Sequence, residues 1–156
     1  MLCKKGVIII KNQEVLKRIL IYFGEQAQLI KFLEEIGELI SAYAELTLGI
    51  GTKEHVIEET ADLIIVGSQL TLIDDRPLEY GIEVDMIKVL DFLAIAMSAI
   101  LHDKKDKVDI IKTAISIARK MIVQMGYEQE LDTMIDLKLK RTVKYIEIGR
   151  YKSILD

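Results

Sequence analysis

Two short acidic runs stand out in the chain, Glu34-Glu35-Ile36-Gly37-Glu38 and Glu58-Glu59-Thr60-Ala61-Asp62, with a glycine-bearing stretch between them. Glu35 and Glu38 are three residues apart and project from one side of a helix, and so do Glu59 and Asp62. If the two helices pack side by side, these four carboxylates converge, and converging carboxylates repel one another unless a cation or a proton lies among them. An all-oxygen donor set points to Mg2+, with Mn2+ as a substitute. One cysteine and two histidines are too few for the usual zinc ligand sets. Mg2+ keeps waters and shares its shell with substrate phosphates, so the chemistry expected at such a site is phosphoryl or nucleotidyl transfer.

The elements that carry these acids are strongly patterned. Over about 25–48, Leu29, Phe32, Ile36, Leu39, Tyr43 and Leu46 recur at helical intervals. A second stripe, Ile30, Leu33, Gly37, Ile40 and Ala44, lies beside the first, and the two together predict a helix gripped from more than one side. A narrow polar strip remains: Gln28, Lys31, Glu34, Glu35, Glu38 and Glu45. Gly49-Ile50-Gly51-Thr52 should end this helix and start the next, with Thr52 as N-cap, and so short a connection makes the helices antiparallel neighbours.

The second acidic helix, running to about Ile73, is apolar nearly all round after Asp62 and is expected at the centre of a bundle. Its strip through Glu59 and Asp62 continues along Val66, Gln69 and Ile73, which puts both acids at the end of a stripe destined for the core. An EExxE pattern alone is usually a solvated face. A second acidic pair at the edge of a buried stripe favours a metal site, with Glu35, Glu38, Glu59 and Asp62 as ligands.

Elsewhere the pattern is helical. Val7 to Ile10 suggest a short strand or an extended arm; 13–23 reads as a helix ending at Gly24, and Asp74 to Pro77 as a turn. A helix over about 83–101 is expected to bury Val84, Ile87, Leu90, Leu93, Ala94 and Met97. After a break at 102–106, another helix to Met125 presents Ile110, Ile111, Ala114, Ile117, Ala118, Met121 and Ile122, and Gly126 stops it. The last helix, about 130–148, pairs Leu131, Met134, Ile135, Leu137 and Val143 with the basic residues Lys138, Lys140, Arg141 and Lys144. The expected fold is one all-α domain, a bundle of five to six helices. His55 and His102, near helix ends, read as surface residues, and the methionines as core.

A net charge of −4 argues against a general nucleic-acid binder. A local basic cluster can still hold a phosphorylated small molecule, and Lys138 and Arg141 share a face suited to that. The single Cys3 fits a reducing, cytoplasmic setting. The longest uncharged apolar stretch, Leu63 to Ile73, is shorter than the roughly 18 residues of a membrane span.

Gln28-x-x-Lys31-x-x-Glu34-Glu35-x-x-Glu38-Leu39 followed by Glu58-Glu59-x-Ala61-Asp62-Leu63 resembles the MazG-like, all-α nucleoside triphosphate pyrophosphohydrolases. The likeness is good over about 22–73, and Lys138-Leu139-Lys140-Arg141 resembles the basic helix late in such proteins. It implies a four-helix catalytic core of that type and Mg2+-dependent hydrolysis of a (deoxy)nucleoside triphosphate to monophosphate and pyrophosphate. It also implies a homo-oligomer, dimer or tetramer. Glu35, Glu38, Glu59 and Asp62 would then be the metal ligands, and Lys31, Lys138 and Arg141 phosphate contacts. Glu34 or Glu58 would help position the attacking water, while Gln28 and Gln69, read from the strips they share with the acids, are candidates to hydrogen-bond substrate or orient a carboxylate, or else are filler. A related activity, phosphoribosyl-ATP pyrophosphohydrolase, has a similar arrangement of acids, and a non-catalytic oligomerisation or adaptor bundle is the alternative of a different class.

Overall fold

The computed structural model describes residues 13–72 and 83–150, and in them the chain forms six α-helices and no strand. These are α1 (Gln13–Phe23), α2 (Glu25–Thr47), α3 (Lys53–Thr71), α4 (Met86–Leu101), α5 (Lys107–Gln124) and α6 (Glu128–Glu147). The all-α expectation holds. Val7 to Ile10, Ile73 and the Asp74 to Pro77 turn lie outside the described residues.

The α2–α3 connection explains why the acidic helices lie together. Ile50 and Gly51 both donate their backbone N–H to the Glu45 carbonyl, each at 3.0 Å, so the loop folds back over the end of α2. Only glycine fits at 51, because a Cβ there would stand 2.8 Å from both the Glu45 Cβ and the Leu46 backbone nitrogen. Thr52 then caps α3, its Oγ1 accepting the His55 N–H at 3.1 Å, a contact that stabilises a helix by about 1 kcal/mol.

α3 is the central element and packs on α1, α2, α5 and α6. Val56, Ile57, Ala61, Leu63, Ile64, Ile65 and Val66 are all buried, as a helix apolar nearly all round requires. At Gly67 the neighbours close in: an added Cβ would meet Ile115 Cγ2 at 2.6 Å and Phe32 Cε2 at 2.9 Å. α4 packs mainly against α5 and also touches α2. The chain just before α4 is clamped to α5, since the Gln124 side chain accepts from the Val84 N–H at 2.9 Å and donates to the Val84 carbonyl at 2.8 Å.

Three details differ from expectation. The second stripe of α2 faces largely outward, with Ile30, Gly37, Ile40 and Ala44 exposed and Leu33 half-buried; the burial beyond the first stripe falls on Gln28, Glu35 and Ala42 instead. α4 starts at Met86 rather than near Glu83, because Asp85 caps it through the Lys88 N–H at 2.8 Å, and it buries Val89, Leu93, Ala96 and Ala99 while Ile87 and Ala94 face out. Ile87 and Ala94 lie beside the strip of Lys88, Asp91 and Ser98, so the few polar residues of α4 mark the side that faces out. On α6, Leu137 is exposed and Lys138 is buried, since Lys138 follows Leu131 and Ile135 at helical spacing and so falls on the inner stripe.

No helix among the described residues is long and apolar enough to cross a membrane.

Candidate functional site

Where α2 faces α3, one side chain breaks the rule that charges stay out of the core. Glu35 is only 2% exposed. Its Oε1 accepts from Lys31 Nζ at 2.7 Å, one turn back, and Lys31 also pairs with Glu34 at 3.1 Å. The other oxygen, Oε2, is buried with no hydrogen-bond partner among the described residues. The opposite helix repeats the pattern. Glu59 Oε1 lies 3.0 Å from His55 Nε2, and Glu59 Oε2 is buried without a partner among the described residues. Glu38, one turn beyond Glu35, stands at the exposed edge, and one oxygen from each of Glu35, Glu38 and Glu59 lies within 4.8 Å of the others.

Asp62, the fourth expected ligand, sits slightly apart from this trio. Its Oδ2 accepts from Lys138 Nζ at 2.5 Å, and the same ammonium reaches Glu58 Oε1 at 3.2 Å. A lysine from α6 thus closes the site opposite the one from α2. Glu34 and Glu58 occupy the rim, with side chains 55% and 47% exposed.

The electrostatics reflect burial first and crowding by like charge second. Burial pushes the Glu35 carboxyl up to about 7, with Lys31 opposing the rise and Asp62 and Glu38 adding to it. Burial also raises Glu59, assisted by Glu38 and Asp62 and opposed by His55 and Lys138. Asp62 is raised by burial, against Lys138 and together with Glu58. The lysines respond in the complementary sense: burial pulls Lys31 and Lys138 down, yet the carboxylates beside them more than offset it, and both are held above the ordinary lysine range. Two ammoniums do not neutralise the acids gathered here. An additional cation would, and the donor chemistry, carboxylate oxygens with two buried lone-pair sites unused, fits Mg2+ or Mn2+.

Among the residues expected to contact substrate, Lys31 and Lys138 are brought to the acids. Gln28, one turn before Lys31, is buried at 6% exposure. Arg141 is exposed and forms no ion pair with any described residue; it is not part of the assembled cluster. Gln69, two turns beyond Asp62, is 2% exposed and its Oε1 has no partner among the described residues.

His55 is a member of the site that the surface reading of the sequence missed. Half-exposed, it touches Glu59 and also lies 3.5 Å from Glu45 Oε2. The i,i+4 spacing from His55 to Glu59 was a usable signal. The approach of Glu45 depends on the Gly51 turn and has no counterpart in helical periodicity. His102, in contrast, is exposed at the end of α4, with its Nδ1 on the Ser98 carbonyl at 2.9 Å.

Comparison with known proteins supplies no relative: no protein-family model, no curated protein and no solved structure matches the chain.

Proposed function

We propose that this chain is a Mg2+-dependent hydrolase of the MazG-like, all-α type, cleaving a (deoxy)nucleoside triphosphate to the monophosphate and pyrophosphate. The observation that carries the reading is that Glu35 and Glu59, each with a buried oxygen that has no partner among the described residues, bring one oxygen apiece within 4.8 Å of each other and of one from Glu38. A buried carboxylate oxygen without a partner costs stability, and a ligand that supplies positive charge removes that cost.

Glu35, Glu38, Glu59 and Asp62 are the proposed metal ligands, with Mg2+ as the metal and Mn2+ as a substitute. When bound, the cation supplies a Lewis acid for phosphate oxygens and an acidified water at neutral pH. Lys31 and Lys138 pair with the carboxylates through their ammoniums, which supports a role for both as contacts to triphosphate oxygens. Glu34 or Glu58, on the rim, orients the attacking water at the α-phosphate. Gln28 and Arg141 complete the proposed substrate contacts, Arg141 from the exposed surface of α6. No side-chain nucleophile is invoked. A homo-oligomer, dimer or tetramer, belongs to the reading and draws support from the exposed Ile30 and Ile40 of α2 and Ile87 and Ile95 of α4. A cytoplasmic setting draws support from the single cysteine.

The test is a panel of common and modified nucleoside triphosphates, together with phosphoribosyl-ATP, incubated with Mg2+ and with product identification. Monophosphate and pyrophosphate are the expected products. Diphosphate and inorganic phosphate would exclude attack at the α-phosphate, and cleavage of phosphoribosyl-ATP alone would replace the proposed substrate. Absence of any Mg2+-dependent cleavage would leave the adaptor reading.

A further inference from the structure

His55 occupies a position unlike that of the other residues around the acids. It does not contribute a carboxylate or an ammonium, and its half-exposed ring fills no part of the core. Its backbone is held by the Thr52 cap. Its ring lies between two carboxylates from different helices, with Nε2 at 3.0 Å from Glu59 Oε1 and Nδ1 at 3.5 Å from Glu45 Oε2. Glu45 reaches that position because Gly51 lets the loop lie against the end of α2.

A glutamate carboxylate turns about its last torsion over a broad range. A hydrogen bond to one of its oxygens selects one orientation. Among the described residues His55 is the only group hydrogen-bonded to the Glu59 carboxylate, the oxygen it leaves alone is the buried Oε2, and one oxygen of Glu59 lies within 4.8 Å of one from Glu35 and one from Glu38. An ionised carboxylate only accepts, and to that form of Glu59 the ring donates when Nε2 carries the proton.

We infer that His55 is a positioning residue for Glu59: by holding Oε1 it aims Oε2 at the place where Glu35 and Glu38 converge. The inference rests on the function proposed above and adds to it a residue that touches neither metal nor substrate. A plain surface pair one helical turn apart would be of little consequence, whereas outer partners of a metal ligand commonly change metal affinity or activity by about 10–100-fold.

Calorimetric titration with Mn2+, without nucleotide, on wild type, His55→Ala and His55→Gln tests it, alongside steady-state kinetics with the best triphosphate and thermal melts without metal. His55→Ala is expected to weaken Mn2+ binding by about tenfold or more and to lower kcat with little change in KM. His55→Gln, whose side-chain N–H can donate to Glu59, is expected to recover most of both, while the two variants melt alike. Mn2+ affinity and kcat unchanged in His55→Ala would overturn the positioning role, and so would a Gln variant no better than Ala. Wild type that binds Mn2+ beside an unaffected Ala variant overturns the role of His55 alone. Wild type that binds no Mn2+ overturns it together with the proposed function.

Discussion

In the α2–α3 hairpin the carboxylate of Glu35 is 2% exposed, whereas in the α4–α5 hairpin Ile87 is 67% exposed and Leu101 64%. Both hairpins are antiparallel pairs with short connections, and each departs from ordinary burial in the opposite direction. An exposed isoleucine costs little, and much of any protein surface is apolar. A buried carboxylate with an unused oxygen is costly, and a chain that retains one gains something by it. The first hairpin therefore speaks to chemistry, the second at most to association.

The largest expected effects come from breaking the acidic hairpin. Glu38→Gln and Asp62→Asn should each lower Mg2+-dependent pyrophosphate release to about one hundredth of wild type or less, with the helical circular dichroism retained. Neither residue belongs to the buried apolar core, so loss of activity together with loss of helix would contradict the assignment.

Next in size is the balance between charge and stability at Glu35. Unfolded, a glutamate titrates near 4.3; folded, this one is raised to about 7. Between those values the folded chain holds a proton that the unfolded chain has lost. The contribution is thus fully present below the unfolded value and disappears as pH rises through the folded one. Denaturation midpoints without divalent ions should accordingly fall as pH climbs through this window, and Glu35→Gln should flatten that fall. Stabilisation by Mn2+ should grow over the same window, because protons compete for the ligand oxygens, and Glu35→Gln should remove most of it.

Gly67→Ala probes the same central helix away from the acids. Its Cβ would press on Ile115 and Phe32, and overpacking of this kind costs about 1–3 kcal/mol, partly offset by alanine's better helix propensity. A lower melting temperature with unchanged Mn2+ affinity would separate packing from chemistry. The smallest effect is expected in the other hairpin: Ile87→Glu and Leu101→Glu should alter thermal stability by no more than about 0.5 kcal/mol. If α4 lies in a homo-oligomer interface, they should instead shift sedimentation toward a lighter species.

The contrast between the hairpins also shows how far the sequence could be read. Helix positions followed from periodicity and punctuation, and Gly49, Gly126 and Thr52 end or start helices as expected. The central place of α3 followed from its apolar circumference. The convergence of Glu35, Glu38 and Glu59 was legible because Glu59 stood at the end of a stripe that had to be buried, on a helix placed beside the one whose polar strip carries Glu35 and Glu38. On α4 only Lys88, Asp91 and Ser98 interrupt the apolar pattern, and the buried face is the one packed on α5 and α2. Lys138 was legible as a cation for the site, and its burial as well, since it stands on the stripe of Leu131 and Ile135. The pairing of Asp62 with Lys138 and the approach of Glu45 to His55 depend on how separate helices are placed, which periodicity within a helix does not encode.

The central claim is that the carboxylates between α2 and α3 hold a divalent cation. Crystals grown with Mn2+ test it most directly through the anomalous difference map. A peak bounded by Glu35, Glu38 and Glu59, with Asp62 beside it, is the predicted result; a map with no peak among these oxygens at saturating Mn2+ would contradict it.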